Sequence, residues 1–229
     1  MSTQKYQIAF DDFGLNQKTN DRIIELIQCL PGSRVAIMMN GHFSPEEKEV
    51  LLQSGAFLDI HLDRYEEASF QNKSQSTLGR IFSFLKEYLK KEHGQTILQS
   101  WEEQVEDFRE IFGKMPARLN SHEHVHFFPA HFTKALKLAR EKQIAEIRFG
   151  KLFTGNYTTI AFILNVLRFW NQRHFRKSGL RTSTYLLSWD WFDMKNGERA
   201  LLRYTKQGET EVVFHLERDE EYFFLKSIL

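Results

Sequence analysis

The fold is decided by residues 5–39, which read KYQIAFDDFGLNQKTNDRIIELIQCLPGSRVAIMM. Lys5 to Phe10 is a short apolar run of β type, and Asn16 to Leu30 follows it with apolar residues at helical spacing. Arg34 to Met39 is the next β-type run. A strand, a crossover helix and a second strand are typical of a parallel sheet with helices on its faces.

The same alternation continues along the chain. Further strands are predicted over residues 57–62, 117–121, 145–149, 184–188 and 210–216, and further helices over 45–54, 77–92, 97–112, 130–142, 158–175 and 197–206. Ser44, Pro45 and Glu47 form the pattern of a capping box at the start of one helix, and Gly55 stands where that helix would end. Seven strands in 229 residues predict an α/β fold with a compact (β/α) barrel-like parallel sheet. An open doubly wound sheet would show the same local pattern.

Composition limits the class of function. The 31 Lys and Arg against 30 Asp and Glu give a net charge of +1, so neither a nucleic acid nor a membrane surface is expected as a partner. The single cysteine, Cys29, excludes an internal disulfide and a cysteine-based zinc site. No apolar run follows a basic start, so we expect a cytoplasmic protein, and a homo-oligomer is left open.

Side chains that bind metals fall where four predicted strands end: Asp11 and Asp12, His61, the run His122, His124 and His126, and His215. In a parallel α/β fold all of these positions lie at the carboxyl edge of the sheet, where such folds place their sites.

Each of these elements also has a plainer interpretation. Asp11 and Asp12 fit a turn in which one carboxylate caps the next helix, and His61 alone fits a hydrogen-bonded core residue. The run HEHVH at 122–126 is stronger, because three of nine histidines lie within it. If that run is extended, its alternate side chains lie roughly 6–7 Å apart, so one metal ion accepts one or two of them. One Asp with two His would leave coordination positions open, as in catalytic sites.

Four segments carry a family resemblance: FDDFGL at 10–15, DIHL at 59–62, NSHEHVH at 120–126 followed by Phe128 and Pro129, and VFH at 213–215. In this order they resemble the YdjC-like carbohydrate deacetylases, whose best-known members act on chitooligosaccharides. The resemblance runs from residue 8 to residue 216.

The resemblance implies a single domain over residues 1–229 and a metal-dependent hydrolase that removes an N-acetyl group from an acetylated amino sugar or oligosaccharide. It further implies one divalent ion, Zn²⁺ or Mg²⁺, held by Asp12, His61 and His122. Asp11 would be the base that activates water, and His215 the acid for the leaving amine. Arg148 and His126 are expected to contact the substrate. We expect zinc or another borderline ion, because two imidazoles suit it better than magnesium.

The sequence departs from the family pattern at a few positions and leaves alternatives open. Asn120 stands where the family usually has Asp, and Leu216 where it commonly has Pro. Trp189, Trp191 and Phe192 fit either stacking on a sugar or packing in the core. Two rival functions share these residues: an enzyme with another reaction, such as Fe(II) chemistry or hydrolysis of a phosphoester or another amide, and a non-catalytic sugar-binding protein.

Overall fold

The structure is a computed structural model that describes residues 6–63, 93–152, 159–191 and 208–229. In this part of the chain seven parallel strands form one sheet in the order β4-β3-β2-β1-β7-β6-β5. The strands are β1 (Tyr6–Phe13), β2 (Arg34–Ile37), β3 (Phe57–Leu62), β4 (Leu119–Ser121), β5 (Lys151–Leu152), β6 (Tyr185–Ser188) and β7 (Thr210–Phe214). The predicted barrel-like parallel sheet is confirmed.

Backbone hydrogen bonds join the two edges of the curled sheet. On one side Arg148 N donates to Leu119 O at 2.9 Å, and Leu119 N donates to Glu146 O at 3.0 Å. On the other side Ile147 N donates to Arg181 O at 3.0 Å, just before β6. The segment 145–148, which leads into the edge strand β5, therefore bonds to β4 on one side and to the residues before β6 on the other.

The described helices are α1 (Gln17–Cys29), α2 (Pro45–Gln53), α3 (His93–Phe112), α4 (Pro129–Glu141), α5 (Thr159–Ser178) and α6 (Asp219–Ile228). The predicted capping box of α2 is confirmed, since Ser44 and Glu47 bond reciprocally. Gly55 follows that helix with a φ of +72°, a conformation that glycine adopts without strain. Within the described residues, no helix is long and apolar enough to cross a membrane.

Two elements differ from the sequence prediction. The strand predicted at 145–149 is interrupted, because Phe149 N donates to the Thr182 hydroxyl at 2.8 Å instead of a backbone carbonyl, and β5 is the short pair Lys151–Leu152. Helix α6 was not predicted. The helices predicted at 77–92 and 197–206 lie outside the described residues.

Buried ion pairs fill the inside of the curled sheet. Arg118 bonds Glu211, and Arg148 bonds Asp11, although neither pair lies on neighbouring strands. Such contacts must cross the interior of the sheet. Glu146 joins Arg118 to a further pair on β2 and β3. The result is a charge column of seven side chains: Asp59, Arg34, Glu146, Arg118, Glu211, Arg148 and Asp11. The column reaches the carboxyl edge of the strands at Asp11.

Candidate metal centre

A backbone irregularity at the end of β1 separates the two adjacent aspartates. The pairing of β1 with β2 shifts between Phe10 and Phe13, and Asp12 has a φ of +66°. Asp and Asn tolerate this left-handed conformation better than most residues. Both carboxylates are buried at the site, but Asp11 bonds Arg148 whereas Asp12 faces His61 and His122. Neither aspartate caps α1, since its N-cap is Asn16.

The histidine run is not extended, so the spacing of alternate side chains in a strand does not apply to it. Residues His122–Phe127 form a 3₁₀ turn in which Glu123 and His124 have φ values of 51° and 55°. The Ser121 hydroxyl closes this turn, because it accepts a hydrogen bond from the backbone N–H of His126 at 3.0 Å and lies 2.6 Å from His126 Nδ1. The three histidines therefore point to different surroundings, and only His122 reaches Asp12.

Asp12, His61 and His122 converge at the carboxyl edge of the sheet. Each offers one ligand atom, and these atoms lie within 4.8 Å of one another. Asp12 Oδ1 lies 3.1 Å from His61 Nε2 and 2.9 Å from His122 Nδ1. Among the described residues this is the group of three that could hold a metal ion. One carboxylate and two imidazoles are a donor set that fits borderline divalent ions.

The Asp12 carboxylate and the neighbouring histidines shift one another toward their charged forms. Burial raises the pKa of Asp12, but the charge and hydrogen bonds of His122 and His61 outweigh it and hold that pKa well below its usual range. Burial lowers the pKa of His122, yet the Asp12 carboxylate outweighs it and raises the value to about 9. Asp12 is thus an ionised carboxylate, and its buried negative charge is stabilised by positive charge beside it.

Arg148 holds Asp11 in one orientation. Its guanidinium is fully buried and donates to Asp11 Oδ2 at 2.6 Å, to Asp11 Oδ1 at 2.9 Å and to Glu211 Oε1 at 2.8 Å. Burial raises the pKa of Asp11, but the charge of Arg148 outweighs it and keeps that pKa below its usual value. Asp11 is therefore an ionised hydrogen-bond acceptor beside the cluster.

His215 follows β7 directly, next to β1 in the sheet. Its backbone N–H donates to Glu221 Oε2 at 2.8 Å, and its buried Nδ1 has no hydrogen-bond partner among the described residues. Burial lowers the pKa of His215, but the negative charges of Asp12, Asp190, Asp11 and Glu221 outweigh it and raise the value. These negative charges therefore favour the protonated form of His215.

Arg148 and His126, predicted to contact the substrate, both bond to protein groups. The ring of His126 is fully buried, with Nδ1 at 2.6 Å from Ser121 Oγ and Nε2 at 2.7 Å from Arg148 O. Burial lowers the pKa of His126 to about 3. Their roles toward a substrate stay predictions.

The two described tryptophans after β6 are both buried in the hydrophobic core. Trp189 stacks on Phe214 at 5.3 Å and on Phe224 at 4.3 Å between ring centroids, so it packs in the core. Trp191 meets the ring of His124 edge-on at 5.8 Å. Burial and the charge of Arg148 lower the pKa of His124 to about 4. Phe192 lies outside the described residues.

Sequence reasoning missed two carboxylates near His215. Asp190 follows β6 and bonds Arg218 at 2.8 Å, and Glu221 comes from the unpredicted helix α6. Asp190 stands two residues after β6, at the carboxyl end of a strand, which was a signal like that of His61 near the end of β3. No comparable signal marked Glu221.

The fold and the cluster together define a class of protein: a curled parallel α/β barrel with an Asp–His–His group at the carboxyl edge of its strands. A family model of YdjC-like proteins matches residues 7–225. The chain therefore belongs to the YdjC-like family. Among curated proteins, none matches this chain.

Solved structures resemble this chain at low sequence identity. A "putative cellobiose-phosphate cleavage protein" from Enterococcus faecalis V583 is 19% identical, with a TM-score of 0.64 over 93% of this chain and 81% of the other. The catalytic domain of a peptidoglycan N-acetylglucosamine deacetylase from Eubacterium rectale ATCC 33656 is 9% identical, with a TM-score of 0.48 over 98% and 82%. The first likeness supports the fold alone, and no conclusion is drawn from the second.

Proposed function

We propose that this protein is a metal-dependent hydrolase that removes the N-acetyl group from an acetylated amino sugar or oligosaccharide. The observation that carries the proposal is the Asp12, His61 and His122 cluster, with an ionised Asp11 and a His215 of raised pKa beside it. Membership of the YdjC-like family supports the carbohydrate substrate class.

The three clustered side chains fit a divalent ion, because they are buried or half-buried and their ligand atoms converge within 4.8 Å. When bound, such an ion supplies Lewis-acid chemistry, which lowers the pKa of water and polarises an acyl oxygen. We expect zinc or another borderline ion rather than magnesium, since two of the three donors are imidazoles.

Asp11 is the base in this proposal. Its carboxylate is ionised, and Arg148 fixes both of its oxygens while leaving each oxygen further lone pairs for a water proton. We assign Arg148 to positioning Asp11, because its guanidinium is buried and bonded to carboxylates. General-base catalysis of this kind contributes a factor of roughly 10²–10⁴ in rate.

His215 is the acid that protonates the leaving amine. The surrounding carboxylates raise its pKa, so the ring keeps its proton to a higher pH than an ordinary histidine does. His126 has both ring nitrogens occupied by protein partners, and in this proposal it supports the turn that carries His122.

Metal content and acetate release test the proposal together. The protein is purified with divalent metals present, its bound metal is measured by mass spectrometry, and acetate is assayed with N-acetylated amino sugars and chitooligosaccharides. His61→Ala and His122→Ala should each lose the metal, whereas His174→Ala, an exposed histidine on α5, should keep it. Full metal content in both cluster variants would contradict the ligand assignment.

Adding phosphoesters and non-acetyl amides to this panel separates the rival functions. Hydrolysis of phosphoesters or other amides without acetate release would contradict the substrate class. Sugar binding by calorimetry without turnover of any substrate would favour a non-catalytic protein on this scaffold.

A further inference from the structure

We propose that the side-chain amide of Asn120 sets the tautomer of His61 and thereby weakens metal binding at the cluster. The inference rests on the metal site proposed above. It makes Asn120 a positioning residue, since it acts through His61 and touches none of the reacting groups.

Asn120 lies fully buried on β4, directly opposite His61 in the register of β3 and β4. One end of its amide lies 2.7 Å from His61 Nδ1 and 2.7 Å from Ile60 O. The other end lies 3.2 Å and 3.1 Å from the two terminal nitrogens of Arg148. The amide thus has four polar neighbours, and their chemistry decides which way it points.

One orientation satisfies all four neighbours. The Ile60 carbonyl only accepts hydrogen bonds and the Arg148 guanidinium only donates them. With the NH₂ group toward Ile60 and His61, and the oxygen toward Arg148, each contact joins a donor to an acceptor. The reverse orientation places oxygen against oxygen and NH₂ against guanidinium. In a fully buried place, such mismatches cost about 1–3 kcal/mol for each unsatisfied group.

The favoured orientation fixes the proton on His61. Its Nδ1 must accept from Asn120, so a neutral ring carries its proton on Nε2, where Asp12 Oδ1 accepts it at 3.1 Å. Nε2 is also the atom that faces the cluster, and a ligand nitrogen needs a free lone pair. The tautomer favoured by Asn120 is therefore the one that does not bind a metal through Nε2.

Metal binding and the orientation of the amide are consequently coupled. For Nε2 to bind, the ring gives up that proton and takes one at Nδ1, a change that leaves its charge unaltered. A protonated Nδ1 needs an acceptor, so the amide must turn its oxygen toward His61. That rotation ends the favourable contacts with Ile60 and Arg148, the residue that also holds Asp11.

A carboxylate at this position would remove the conflict with the metal-binding tautomer. In Asn120→Asp one oxygen accepts from protonated Nδ1 of His61 and the other from Arg148, so no rotation is required. The first oxygen also faces Ile60 O, which costs stability both with and without the metal and so does not oppose metal binding. We expect Asn120→Asp to lower the Kd for Zn²⁺ by about 10-fold or more, the size of effect typical for partners of ligand histidines. Asn165→Asp is the control, because Asn165 is partly buried on α5 and its amide bonds the backbone of Leu152, away from the cluster.

Two measurements test the inference. Calorimetry gives the Zn²⁺ Kd of the wild type and both variants, and long-range ¹H–¹⁵N correlation spectra of the wild type at alkaline pH report the His61 tautomer. We expect protonated Nε2 in the metal-free protein and protonated Nδ1 after Zn²⁺ is added. The spectra need no variant, so they test the inference even if Asn120→Asp fails to fold.

The possible failures are distinguishable. Protonated Nδ1 in the metal-free wild type, or equal Kd values for wild type and Asn120→Asp, would overturn the role of Asn120 and leave the proposed function standing. A wild type that binds no Zn²⁺ or other divalent ion would overturn the metal site and this inference with it.

Discussion

Arg148 binds both carboxylate oxygens of Asp11, at 2.6 Å and 2.9 Å, across the interior of the curled sheet. Asp11 thus stands at the end of the charge column, and its orientation depends on a residue from the far edge of the sheet. A single lysine nitrogen would replace this two-point contact with one directional bond.

Replacing Arg148 by lysine should therefore separate an effect on the orientation of Asp11 from an effect on folding. Arg148→Lys keeps a positive charge for Asp11 and Glu211, so we expect a folded protein with full metal content and at least a tenfold lower kcat. Arg168→Lys, on the outer helix α5, should leave kcat unchanged. Metal analysis and steady-state kinetics provide the readouts, and an unaltered kcat in Arg148→Lys would refute the positioning role.

The adjacent aspartates should respond differently to the same substitution. Asn tolerates the left-handed φ of Asp12, so Asp12→Asn should fold but bind metal weakly, because it loses the negative charge. Asp11→Asn should keep the metal and lose a factor of roughly 10²–10⁴ in rate. Loss of metal in Asp11→Asn with retention in Asp12→Asn would reverse the two assignments.

Glu221 should make stability depend on pH. Burial raises its pKa from 4.5 to about 7, against the lowering effect of His215. The folded protein therefore holds the Glu221 proton over a pH range in which the unfolded chain has lost it, so stability falls as pH rises from 4.5 to about 7. The difference corresponds to about 3 kcal/mol.

Urea unfolding of the wild type and Glu221→Gln across this pH range measures the effect. Gln does not titrate and still offers an oxygen to the backbone N–H of His215. We expect the variant to gain stability over the wild type as pH rises. A stability difference that is constant with pH would show that Glu221 does not titrate in this range.

Gly41 should be required for the turn that follows Asp12. A Cβ at Gly41 would lie 2.4 Å from Gly14 O, whereas at Gly55 it would meet nothing within 4 Å. We expect Gly41→Ala to lower the free energy of unfolding by about 1–3 kcal/mol and to reduce metal retention by displacing the turn. Gly55→Ala should carry only the strain of its positive φ and retain the metal; equal metal loss in both would contradict this account.

Sequence periodicity predicted the strand and helix alternation because both elements bury one face in a regular pattern. The ends of β1, β3, β4 and β7 were therefore correctly placed at one edge, and with them the residues that the structure brings together as Asp12, His61 and His122. The capping box at Ser44 was also predictable, since it depends on residues only three positions apart.

The parts that sequence did not predict depend on single backbone angles or on distant partners. The left-handed φ of Asp12 and the turn at His122–Phe127 follow from local hydrogen bonds such as that of Ser121, which periodicity does not register. The pairing of Arg148 with Asp11 joins positions 137 residues apart. Burial of α6 places Glu221 at His215, and no motif signalled that contact.

The position of β1 between β2 and β7 has a consequence for biosynthesis. Tyr6 pairs with Thr210 and Phe10 with Phe214, so one side of the first strand has no partner until the last strand has left the ribosome. An unpaired strand edge invites mispairing, and contacts this distant in sequence form slowly. Asp12 meets His122 and Asp11 meets Arg148 only when these partners, 110 and 137 residues further along the chain, have been made, so a shorter nascent chain carries two uncompensated carboxylates that oppose its collapse.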